Sequence, residues 1–112
     1  MAKDDYYVLA YRLLAYLYAC LKEGEKPDPE YFKAGTEKFP IGEEYWNYLF
    51  IHLCEDGYIE GIRITKRLQN MVSIRTCDIA ITPKGIEFLQ ENTSMKKALQ
   101  FLKEIKEAIL GA

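Results

Sequence analysis

Apolar side chains recur at Val8, Leu9, Leu13, Tyr16, Leu17, Cys20 and Leu21, a helical spacing with a wide apolar face. The spacing predicts a first helix from about Asp4 to Glu23, with Asp4 and Asp5 at its positive end and Gly24 as its cap. Leu14 and Tyr18 lie partly off that stripe, so the helix is expected to be covered on a second side. Asp28-Pro29 is an N-cap followed by Pro at the first helical position, and it predicts a short second helix, roughly Pro29–Ala34. Pro40 blocks continuation. A third helix follows over about Gly42–Glu55, with Trp46, Leu49, Phe50 and Leu53 in phase for the core.

After Asp56-Gly57 the pattern changes. Tyr58–Leu68 and Val72–Thr82 are rich in β-branched residues and are joined at Gln69-Asn70-Met71, which predicts a long twisted hairpin. Thr82 then caps a fourth helix that opens at Pro83 and ends near Asn92. A fifth helix runs from Thr93 or Ser94 to about Leu110. Its residues Met95, Ala98, Leu102, Ile105 and Ile109 form a short heptad stripe, suited to packing on the first helix or on a second copy. Three helices, a hairpin and further helices make the element order of an α+β winged-helix domain. At 112 residues the chain is expected to be one such domain, 1–112.

Charge adds a hint of polarity. The net charge of -2 argues against a generic polyanion binder, yet it is unevenly spread. Residues 1–57 hold six Lys/Arg against eleven Asp/Glu, whereas residues 58–112 hold nine against six. Between Gly61 and Cys77 stand Arg63, Lys66, Arg67 and Arg75 with no acid among them. On a winged helix these four side chains would meet phosphates, four contacts giving a salt slope of roughly -3 to -4. Four basic residues also serve simply to keep an edge strand soluble.

The third helix points the other way. Its exposed face should carry Glu43, Glu44, Asn47, Tyr48, Ile51 and Glu55, and no Lys or Arg occurs from Ile41 to Ile62. Carboxylates at a helix N-terminus help the helix but repel a phosphate backbone. Asn47 is suited to an adenine edge and Tyr48 to stacking or a thymine methyl, although a plain solvated face accounts for both. The tyrosines of the first helix are packing residues or interface residues. A homodimer contact is expected from Tyr7, Tyr11, Leu14 and Tyr18 with Met95, Leu102, Ile105 and Ile109.

No residue set commits the chain to catalysis. Cys20, Cys54 and Cys77 form no Cys-x-x-Cys pair, and the lone His52 cannot complete a zinc site. His52 and Cys54 are two apart on a helix and point away from each other. The glycines are scattered over caps and turns rather than gathered in a phosphate loop. No cofactor and no metal is implied. The first apolar run is broken by Arg12 and tyrosines, so neither a signal peptide nor a membrane span is expected. Free, buried thiols and a cytoplasmic location are the expectation.

Several of these residues recur together in a known family. Tyr31-Phe32, Glu44-Tyr45-Trp46, Leu53, Glu55-Asp56-Gly57-Tyr58-Ile59 with Gly61, and Thr82 with Lys84-Gly85 are joined by the tail Met95-Lys96-Lys97-Ala98 and Phe101–Lys106. From Asp4 to about Leu110 the chain resembles the YjcQ-like family of small proteins from Gram-positive bacteria and their phages. The resemblance implies a winged-helix fold and an intracellular bacterial or prophage origin, without implying an activity.

Two functions follow as expectations. The first is a DNA-binding regulator or accessory factor, the basic hairpin on phosphates and the outer helices in a homodimer. The alternative is a protein–protein interaction module that uses the acidic, tyrosine-bearing helical surface and never touches nucleic acid.

Overall fold

In the computed structural model, which describes residues 5–66 and 68–92, three helices surround and support a two-stranded antiparallel hairpin. The elements are α1 (Tyr6–Glu23), a 3-10 turn (Pro29–Phe32), α2 (Glu43–Glu55), β1 (Ile59–Lys66), β2 (Val72–Ile81) and α3 (Pro83–Glu91). The expected fifth helix and its heptad stripe lie outside the described residues.

The first helix is central. Leu9 to Leu17 are buried except Arg12, and Leu14 is 0% exposed, because α1 packs against β2, α3 and α2 at once. Gly24 closes the helix at φ 70, and the Glu25 N–H donates to the Cys20 carbonyl at 3.0 Å. Around it lie Phe32, Phe39, Phe50, Leu49 and Ile59. Each such side chain contributes about 1.5–3 kcal/mol by leaving water. The buried Tyr16 ring stacks on Tyr31 at 3.8 Å, and its hydroxyl accepts the Asp28 N–H at 2.8 Å.

Asp28 does cap the next turn, its carboxylate accepting the Glu30 N–H at 3.0 Å. The turn stops at Phe32 rather than running to Ala34, because Lys33 is already extended at ψ 137. Trp46 faces the core as its phase predicts, but at the core's edge. Leu49, Phe50 and Leu53 are buried, but Trp46 is only half-buried, stacked on Phe50 at 3.8 Å with its indole N–H donating to the Phe32 carbonyl at 2.6 Å. An aromatic ring with one polar edge settles where that edge finds an acceptor.

The end of α2 and the start of α3 are latched together. Gly57 turns the chain at φ 83, and the Tyr58 N–H returns to the Leu53 carbonyl at 2.9 Å. Thr82 then accepts the Gly85 N–H at 3.2 Å and donates its own hydroxyl proton to the Gly57 carbonyl. Lys84 completes the latch, its ammonium donating to the Asp56 carbonyl at 2.8 Å while lying 5.0 Å from the Tyr58 ring centroid. Two segments some 25 residues apart are thereby held as one corner.

The hairpin pairs Ile59 with Ile81 at its base and Lys66 with Val72 at its tip. Between Glu60 and Ile62 the register shifts, with Gly61 at φ 83 facing Asp78 at φ 56. This bulge reverses which residues face inward. Ile59, Ile79 and Ile81 are buried below it, whereas Ile62 and Ile74 are the ones packed against the core above it. A bulge turns the strand beyond it, as here.

Candidate nucleic-acid interface

Above the bulge, alternation places Arg63 and Arg75 on the outward face, and the register sets them directly opposite each other. Both are exposed, and neither has a carboxylate partner among the described residues. Facing residues of this kind have Cβ atoms about 4.5–5.5 Å apart, and like charges there repel. Thr65 and Ser73, the next pair, fall on the same face by alternation and add two hydroxyls.

Lys66 is exposed at the end of β1, but by alternation it belongs to the opposite face with Ile62 and Ile64. Lys66 therefore does not share a face with Arg63 and Arg75. Arg67 lies outside the described residues. The tip holds Leu68, 90% exposed, and Met71, 61% exposed, which an alternation reading passes over because they lie between the strands.

Helix α2 presents Glu43 and Glu44 in its first turn. Glu43 and Glu30 also line a groove of about 690 Å³ between the 3-10 turn, α2 and β2, floored by Phe32, Trp46 and Ile74. Asn47 points into that groove and donates its amide to the Val72 carbonyl at 3.4 Å, which ties the hairpin to the helix. Tyr48, one residue on, faces another way. It is 55% exposed and lies among the aromatic rings of Tyr6 and His52. Asn47 and Tyr48 thus do not act on a common surface.

Two residues expected at a homodimer contact are corrected by the packing. Tyr11 is 3% and Leu14 0% exposed within a single chain, so neither can reach a second copy. Tyr7 is exposed, and Tyr18 is half-buried beneath the Lys22 ammonium at 4.6 Å. Met95, Leu102, Ile105 and Ile109 lie outside the described residues. The thiols are free, and burial pushes the Cys20 thiol up, but Cys54 is only half-buried and Cys77, beside the bulge, is exposed rather than buried.

Among the described residues no cluster of three or more His, Cys, Asp or Glu is placed to hold a metal ion. No helix among them is long and apolar enough to cross a membrane. What the geometry defines is a small α+β protein built on one buried helix, with two arginines facing each other on an outward hairpin face. The chain belongs to the YjcQ family: residues 11–108 match the family described as YjcQ protein. It matches no curated protein and no solved structure.

Proposed function

We propose that this chain is a winged-helix protein without catalytic activity that binds duplex DNA as a regulator or accessory factor. The order α1, 3-10 turn, α2, hairpin, α3 supports the winged-helix reading, with the hairpin as the wing. One observation carries the DNA reading: Arg63 and Arg75 stand opposite each other, exposed, with no carboxylate partner among the described residues. A fold accepts such a repulsive pair more readily when an anion bridges it. Backbone phosphate is an anion of the right geometry, since guanidinium offers it two parallel N–H donors.

The wing leads in this reading, and α2 does not. Glu43 and Glu44 keep the helix N-terminus off the phosphates. Lys66 supports from the other face of the hairpin, and Leu68 and Met71 give the tip the apolar character that suits a minor groove. Binding of this kind is positioning rather than base-reading, so modest sequence preference is expected.

The test is fluorescence anisotropy of a labelled random duplex, titrated with protein over a salt series. Three to four phosphate contacts give a log–log slope of about -3 or steeper. A flat salt dependence, or no binding even at low salt, overturns the proposal.

A further inference from the structure

A second surface, away from the arginine face, is built of tyrosine. Tyr6 and Tyr7 from the start of α1, Tyr45, Tyr48 and His52 from α2, Tyr58 before β1 and Phe88 from α3 line an open cleft of about 430 Å³. The rings do not lie flat on one another. Tyr6 stands nearly perpendicular to Tyr48, at 81° and 6.1 Å, and to Tyr7, at 82° and 5.1 Å. The tyrosine faces not covered by these edge contacts are surfaces on which a cation can rest.

Among the described residues that line the cleft Asp56 is acidic and none is Lys or Arg, while the Lys84 ammonium lies at the rim over Tyr58. Burial pushes the Tyr6 hydroxyl up to about 12, with the Asp56 carboxylate and the hydroxyls of Tyr7, Tyr48 and Tyr58 adding to the effect. Asp56 and these four tyrosines all line the one cleft. Lys84, on the rim, is committed to the Asp56 backbone carbonyl and so leaves the carboxylate itself without an ion-pair partner among the described residues. Among the described residues ammonium groups already lie over tyrosine rings, Lys22 on Tyr18, Lys38 on Tyr31 and Lys84 on Tyr58, at 4.6, 4.5 and 5.0 Å.

We infer that the Tyr6–Tyr48–Asp56 cleft receives a positively charged side chain, arginine or lysine, from a partner protein. A protein source fits better than a small amine because the cleft is open and rimmed by Tyr7 and Tyr48, 61% and 55% exposed. Broad tyrosine rims of this kind characterise protein interfaces, where they anchor a partner's long side chain. The inference stands apart from DNA binding by the wing, since no residue is shared.

The test uses NMR of the full chain titrated with N-acetyl-arginine amide, with the neutral N-acetyl-citrulline amide as its isostere and choline as a small quaternary cation. The arginine compound is expected to shift the resonances of Tyr6, Tyr48, His52 and Asp56, and the citrulline compound to leave them in place. Tyr48→Ala and Asp56→Asn should each weaken binding about three- to fivefold, the size of one exposed cation–π or ionic contact. Tyr48→Phe, which keeps the ring, should bind as the parent does. An Arg63→Ala/Arg75→Ala protein should also bind the arginine compound normally, which separates failure of this site from failure of the wing. Equal shifts with citrulline, no shift with arginine, or saturation by choline alone would each overturn the inference.

Discussion

Arg63 and Arg75 face each other across the hairpin on the side turned away from the core. Like charges so placed cost the isolated hairpin a few tenths to about 1 kcal/mol. Arg75→Glu should therefore raise the urea midpoint of unfolding by relieving that repulsion, while abolishing duplex binding. Arg63→Ala/Arg75→Ala should leave the fold intact and, where binding survives, lower the salt slope by about 2. Undiminished duplex affinity in the double variant would remove the arginine pair from the binding surface.

Gly85 owes its identity to crowding rather than to its backbone angles. A Cβ there would stand 2.5 Å from the Tyr58 carbonyl oxygen and 2.6 Å from Ile81 Cγ1. Neither neighbour is the free end of a flexible chain, so Gly85→Ala should cost about 1–3 kcal/mol. Gly42→Ser is the control, because nothing lies within 4 Å of an added Cβ there and serine also suits the N-cap of α2. Denaturant unfolding of the two variants side by side checks the difference; equal stabilities would mean that the α3–hairpin corner yields easily.

The Thr82 hydroxyl both accepts from Gly85 and donates to Gly57. Thr82→Val keeps the shape and loses both bonds, and it should destabilise by about 1–2 kcal/mol. Thr82→Ser should recover most of that loss. If valine and serine prove alike, the hydroxyl does not hold the latch.

Burial raises the Tyr6 and Tyr16 hydroxyls from 10.0 to about 12. Because the folded state favours the protonated phenol, their contribution is fully present below pH 10 and is lost as pH rises towards 12. The melting temperature should fall across that window, in step with the appearance of phenolate absorbance. Tyr6→Phe should make the fall shallower. A decline just as steep in that variant would assign the alkaline loss to other groups.

Most of the elements were legible because they rest on local chemistry. Gly24 and Gly57 end helices at positive φ, and Asp28 and Thr82 start turns with their side-chain oxygens. Such signals act within a few residues and need no tertiary partner. The same locality misled at the second helix, where Lys33 turns extended after Phe32. The motif Glu55–Ile59 with Thr82, Lys84 and Gly85 was visible as a recurring set. Only the structure shows why its parts go together: they meet as one hydrogen-bonded corner.

By itself the sequence determined the order of the elements, the single hairpin and the excess of basic residues upon it. Tertiary structure decided which face of the hairpin the arginines occupy. Simple alternation from Ile59 would put Gly61 and Arg63 on the buried face, and from Ile81 and Ile79 it would do the same to Cys77 and Arg75. The bulge at Gly61 and Asp78 reverses both strands at once, turning the arginines outward. Packing also turned Tyr11 and Leu14 into core and gathered tyrosines from α1 and α2 around Asp56. Each depends on contacts between residues distant in the chain, and a periodicity read along one segment carries no record of them.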